Sequence, residues 1–202
     1  MKYIYKFVLT LIRPILIWIG TVKMPFTSKK HIFSKFYEIQ DTLNPGDIIL
    51  TVSRGHLSNV LNRMVNKGKY NHALMYIGVY NNRPSIVEAV GEGVIVKDLP
   101  VLLSDKDSIC IVRPLESTLS EDQKKKAIEF ALNQLGKSYD YFFEIGNGEG
   151  SKAYYCSELV FESYRAANPN IKFIREESLG YSTVTPNDFY NAKKFFKIMF
   201  EI

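Results

Sequence analysis

A cysteine, a histidine and a glutamate in this chain stand where their side chains could act together as nucleophile, base and orienting acid. Cys156 lies in Ala153-Tyr154-Tyr155-Cys156-Ser157-Glu158-Leu159-Val160, where two aromatics lead into an apolar-periodic stretch. The pattern predicts a helix from Tyr155 to Ala167, ended by Asn168-Pro169, with the cysteine in its first turn. A helix start offers unpaired backbone N–H groups and the positive end of the dipole, and both favour a thiolate. The same N–H groups could hold the oxyanion of a tetrahedral intermediate. The bland alternative is a buried helix cysteine that only packs.

His72 opens the run His72-Ala73-Leu74-Met75-Tyr76-Ile77-Gly78, which reads as a strand ending at Tyr80. At a strand end a side chain reaches a cleft while its backbone stays fixed. His31 and His56 lie in less well-framed contexts, so His72 is the best base available. Glu88, in Ile86-Val87-Glu88-Ala89-Val90, is a carboxylate inside an apolar strand, which is unusual unless it has a partner. The second strand, Ser85 to Val90, returns antiparallel after the break at Asn81-Asn82-Arg83-Pro84 and brings Glu88 toward His72. There Glu88 could orient the imidazole, the third role of a triad. A one-residue slip of register would turn Glu88 away, so Glu92 is held in reserve. Arg54 and Tyr155 are candidates for the rim of the substrate site.

The elements that position these residues are legible from turns and periodicity. Asn44-Pro45-Gly46-Asp47 is a turn, followed by a short strand from Ile48 to Val52. Ser58 to Val65 has helical spacing, and Gly93 to Lys97 and Ser108 to Arg113 are further strands. Glu121 to Leu135 reads as a helix with Ser120 as N-cap and Gly136 at its end, and Lys194 to Phe200 closes the chain as a strand. This is an α+β mixture, an antiparallel sheet packed with helices.

Composition agrees with one domain. The chain has 202 residues, 46% hydrophobic and 23% charged, and the net charge of +5 carries no Arg-rich or Gly-aromatic nucleic-acid signature. Two cysteines are too few for a disulfide framework, and with three histidines they offer no zinc-like spacing. Cys110, in Ser108-Ile109-Cys110-Ile111-Val112, reads as a core residue. No cofactor and no metal is implied.

Residues 1–42 read as a separate N-terminal segment, a hydrophobic helix and linker, ahead of a domain spanning 43–202. From Phe7 to Val22 the chain is largely apolar, but Arg13-Pro14 interrupts a run already short for a membrane span. Lys2, Lys6, Thr10 and Arg13 fall on one helical stripe, with Ile4, Phe7, Val8, Leu11, Ile15, Trp18 and Ile19 around the rest. That distribution suits a membrane interface through residues 4–22. It favours a membrane-associated protein, peripheral or N-terminally anchored, over a freely soluble one.

Between Leu43 and Phe189 the chain resembles the circularly permuted, papain-fold cysteine amidases of the NlpC superfamily, in the YaeF/YiiX-like branch. The likeness rests on Pro45-Gly46-Asp47-Ile48-Ile49-Leu50, Asn71 to Gly78, Val87-Glu88-Ala89 with Gly93-Val94, Leu135 to Tyr141, Tyr155 to Val160, and Val184-Thr185-Pro186-Asn187-Asp188-Phe189. Non-permuted relatives place the cysteine before the histidine, and here His72 precedes Cys156. The resemblance implies a papain-like core, with Cys156 as nucleophile, His72 as base and Glu88 as orienting residue. It implies hydrolysis of amide bonds, in peptides or in amidated or acylated small molecules, through a thioester. Two other readings stay open. One is a lipid-directed acyltransferase or phospholipase-like enzyme using the same three residues; the other is a non-catalytic binding relative.

Overall fold

The computed structural model describes residues 32–52, 68–104, 106, 108–140, 152–171, 176–178 and 181–202. The apolar N-terminal run, the helix expected at Ser58 to Val65, His31, Arg54 and His56 all lie outside the described residues. Among the described residues, no helix is long and apolar enough to cross a membrane.

The described chain begins with a short 3-10 turn, Phe33–Lys35, and a helix, α1 (Phe36–Thr42). Strand β1 (Ile48–Val52) follows, then β2 (His72–Tyr80), β3 (Arg83–Val90) and β4 (Gly93–Asp98). A short helix, α2 (Leu99–Leu103), precedes β5 (Ser108–Pro114) and α3 (Glu121–Leu132). Next are the two-residue strands β6 (Ser138–Tyr139) and β7 (Ala153–Tyr154), then α4 (Cys156–Ala167). The short strands β8 (Glu176–Ser178) and β9 (Tyr181–Thr183), helix α5 (Pro186–Asn191) and strand β10 (Phe196–Glu201) complete the order.

Six strands form one antiparallel sheet in the order β10-β5-β1-β2-β3-β4. Its two faces sort the apolar residues by strand alternation. On one face, Ile48, Leu50, Ala73, Met75, Val87 and Ala89 pack against Leu159, Val160, Phe161 and Tyr164 of α4 and Ala127 and Ala131 of α3. On the other, Ile49, Leu74, Tyr76 and Ile86 meet Ile39 of α1 and Leu99, Leu102 and Leu103 of α2. Ile32, Ile39 and Leu43 are all buried in that second cluster, so α1 packs onto the sheet.

The hairpin carrying His72 and Glu88 turns at Asn81 and Asn82, both with left-handed φ (49° and 64°). Two such residues are what the two-residue turns of tight hairpins require, and asparagine tolerates that region. The break expected over four residues is therefore two residues long, and Arg83 and Pro84 already pair with Tyr80 and Val79. Helix α3 starts from the Ser120 cap, whose hydroxyl accepts from Gln123 N–H while the Gln123 side chain accepts from Ser120 N–H. It ends at Leu132, before Gly136 reaches its left-handed φ of 81°.

The turn before β1 is tied down from three sides. Gly46, at φ 88°, donates its N–H to Tyr76 O, and its carbonyl accepts the phenolic hydroxyl of Tyr164 from α4. Asp47 is 1% exposed, and both its oxygens accept from Arg113 of β5, at 2.9 and 2.7 Å. Arg113 also donates to Thr42 O at the end of α1. One guanidinium thus joins α1, the β1 turn and β5, in the bidentate geometry that makes a buried ion pair tolerable.

Candidate active site

Cys156 is the first residue of α4, and Tyr155 is its N-cap in extended conformation (φ −93°, ψ 169°). The Glu158 side chain closes the helix start by accepting from the Tyr155 N–H. The Tyr155 side chain is buried, and its hydroxyl accepts from the N–H of Val184 at 3.0 Å. Tyr155 is therefore not a rim residue: its ring is 2% exposed and forms part of the core that seats the helix.

The structure brings Cys156, His72 and Glu88 together. The Cys156 sulfur is in hydrogen-bond contact with the His72 ring and also accepts from the N–H of Ala73. The hydroxyl of Ser157 lies 3.9 Å from it. His72 Nε2 stands 2.7 Å from Glu88 Oε2, which leaves Nδ1 as the ring nitrogen for the sulfur. The second Glu88 oxygen, Oε1, pairs with Lys97 Nζ at 2.6 Å. Glu88 is 1% exposed and the His72 side chain 16%.

Register decides this geometry. Met75 is opposite Val87, and continuing that antiparallel ladder toward the start of β2 sets His72 diagonally from Glu88 on the same face. Between β3 and β4, Glu88 is opposite Ile95 and Ile86 opposite Lys97, so Lys97 is Glu88's diagonal neighbour on the other side. Glu88 sits between an imidazole and an ammonium. Glu92 lies exposed in the turn between β3 and β4.

The charges reinforce one another. Burial opposes the thiolate at Cys156, but the His72 charge and hydrogen bond, then the Ala73 N–H and Ser157, outweigh it and hold the thiol below its ordinary range. Burial likewise opposes the imidazolium. The thiolate first and Glu88 second overcome it, and His72 rises to about 9. Glu88 falls to about 2, because His72 and then Lys97 more than offset its burial. Together these contacts favour a thiolate–imidazolium pair backed by a carboxylate. Glu158, two residues beyond the cysteine and 1% exposed, goes the other way. Burial first, then the nearby Asp140, raise it to about 9, so it is neutral at pH 7. Cys110 is pushed up to about 11, chiefly by burial, and sits in the core under Tyr70.

Three partners of this cluster lie outside the three residues read from sequence: Lys97, the Ala73 N–H and Ser157. Lys97 had a sequence signal, a lone cation closing the apolar run Val94-Ile95-Val96. The backbone donor had none.

A helix that starts on a cysteine, laid over an antiparallel sheet that presents a histidine and a carboxylate, defines a papain-like α+β protein with the order of its parts permuted. The profile of the permuted papain-like amidase enzyme family, YaeF/YiiX, C92 family, matches residues 42–199, and the chain belongs to that family. It is similar to the uncharacterized protein YiiX of Escherichia coli strain K12, with 32% identity over 125 residues, 60% of this chain and 57% of that protein. The match thus spans little more than half of that relative's length. The crystal structure titled metalloprotein yiiX from Escherichia coli O157:H7 shares the fold, with a TM-score of 0.66 at 22% identity over 80% of this chain and 98% of that one.

Proposed function

We propose that this protein is a cysteine amidase in which Cys156 attacks, His72 transfers protons and Glu88 orients and charges the imidazole. The observation that carries the reading is the unbroken contact series from the Cys156 sulfur to His72, Glu88 and Lys97. The thiolate adds to an amide carbonyl, and backbone N–H groups in the first turn of α4 take the developing oxyanion. Collapse breaks the C–N bond as the His72 imidazolium gives its proton to the leaving amine. A thioester on Cys156 and a neutral His72 remain. His72 then removes a proton from water, hydroxide adds to the thioester, and the carboxylic acid leaves as the thiolate re-forms.

Substrates in this reading are amides of peptides or of acylated small molecules. The lipid-directed alternative drew on residues 4–22, which lie outside the described residues, and nothing in the described site favours it. The Escherichia coli relative is titled a metalloprotein. Among the described residues, no three His, Cys, Asp or Glu side chains converge to hold a metal ion, and the outer oxygen of Glu88 faces an ammonium.

The test is acyl-enzyme trapping. A library of N-acyl amides is offered to the full chain at pH 6 to 7 and the protein is read by intact mass. The expected result is an acyl adduct on Cys156 with amine release, absent in Cys156→Ala. Amide turnover that persists in Cys156→Ala overturns the reading.

A further inference from the structure

The segment Val184-Thr185-Pro186-Asn187 has no part in the proposed chemistry, yet it touches the chain beside both reacting residues. Val184 N–H donates to the hydroxyl of Tyr155, the residue before Cys156. Asn187 takes both backbone polar groups of Tyr70, two residues before His72. Its Oδ1 accepts from Tyr70 N–H at 3.0 Å, and its Nδ2 donates to Tyr70 O at 2.9 Å. β2 pairs with β1 only from His72 onward, so Tyr70 lies beyond the strand ladder. The asparagine amide, shaped like a peptide group, serves it as a one-residue surrogate strand.

The clamp is built, not incidental. Asn187 is 7% exposed and Tyr70 is fully buried. A Cβ on Gly68 would fall 2.1 Å from Asn187 Cγ, so only glycine at 68 lets the amide approach. The strap itself is rigid. Thr185 N–H and Oγ1 both donate to Asp188 Oδ2, at 2.6 and 2.9 Å; Pro186 opens α5; and Phe189 anchors it against Phe196.

We propose that Asn187 is a positioning residue: through the 184–187 strap it holds the His72 end of β2 and the Cys156 end of α4 at the spacing that forms their ion pair. The inference rests on the cysteine-amidase reading. A strap fixed at both ends converts two independent elements, a strand start and a helix start, into one frame. An ion pair between them then forms without paying to order either end.

The experiment titrates the Cys156 thiol by its rate of iodoacetamide alkylation against pH, on the full chain. The variants are Asn187→Asp, Gly68→Ala and, as control, Asn168→Ala, which removes an asparagine–backbone bond to Thr118 O remote from the site. Asn187→Asp keeps the acceptor for Tyr70 N–H and sets a carboxylate against Tyr70 O. Gly68→Ala displaces the amide without altering it. Glu88, Lys97, Glu158, Tyr155 and Asp140, the charged and titratable groups around the pair, are the same in all. In wild type and Asn168→Ala, alkylation at pH 6 is expected to be fast. In Asn187→Asp and Gly68→Ala it is expected to fall about tenfold, the apparent thiol pKa moving about one unit toward that of a free thiol. Circular dichroism confirms folding, and Gly68→Ala carries the test if Asn187→Asp does not fold. Wild-type titration in a folded Gly68→Ala or Asn187→Asp overturns the positioning role alone. A free-thiol titration in wild type overturns the amidase reading beneath it.

Discussion

Replacing Glu88 with glutamine removes a charge 2.7 Å from the His72 ring and keeps the side chain's shape. Glu88 is 1% exposed, and burial alone would weaken its acidity; His72 and then Lys97 bring it from an ordinary 4.5 down to about 2. An opposite charge this close shifts a pKa by about 1–3 units, at about 1.36 kcal/mol per unit. Removing the carboxylate should therefore lower the His72 pKa by about 1.5, worth roughly 2 kcal/mol. His72 stands at about 9, held up against burial first by the thiolate and then by Glu88. In Glu88→Gln it should titrate at roughly 7.5. The fold is retained, because Lys97 is 31% exposed and can turn to water once its partner is gone. The assay is nitrogen NMR of histidine-labelled protein across pH 5 to 10. The chain has three histidines, and the signal lost in His72→Gln assigns the one of interest. A His72 titration in Glu88→Gln that coincides with wild type would refute the argument that the carboxylate charge supports the imidazolium.

Other consequences are open to direct measurement. Iodoacetamide at pH 6 should label Cys156 well before Cys110, since one thiol is held low by His72 and the other is pushed to about 11 by burial; peptide mapping reads the order. Amide turnover should be bell-shaped in pH, rising as Cys156 ionises below the ordinary thiol range and falling as His72 loses its proton near 9, the limbs belonging to the coupled pair. Glu158→Gln should stabilise the protein at alkaline pH. An acid raised to about 9 on folding binds its proton more tightly in the native state, so wild-type stability declines as pH climbs from 4.5 toward 9, and the variant should lose less stability than wild type between about pH 5 and pH 8 by urea unfolding. Arg113→Met should cost roughly 3 kcal/mol by the same assay, because it leaves Asp47 buried without its cation, whereas Asp47→Asn should cost less.

The sequence determined the local pieces. The bounds of β1 and β2 follow from β-branched and apolar runs closed by turn residues, and structure and sequence agree on both: Ile48–Val52 and His72–Tyr80. The start of α4 at Cys156 and the Ser120 cap of α3 are equally local, set by residues within four positions of each helix end. Helices α1, α2 and α5 were not legible. At five to seven residues they are too short to be stable alone, and packing of Ile39, Leu99 and Phe189 holds them in place. For the site, residue types and order pointed to Cys156, His72 and Glu88, but they could not choose between Glu88 and Glu92. That choice is a matter of register, and side chains alternate with a period of two, so one step in a neighbouring strand reverses the answer. Tertiary structure also placed Lys97 on Glu88, the Ala73 N–H on the sulfur and the Asn187 amide on Tyr70. Each of these joins residues that are neighbours only once the sheet has paired and α4 has docked on it. The electrostatics of the thiol are a property of that assembly, whereas its position at a helix start was already written in the chain.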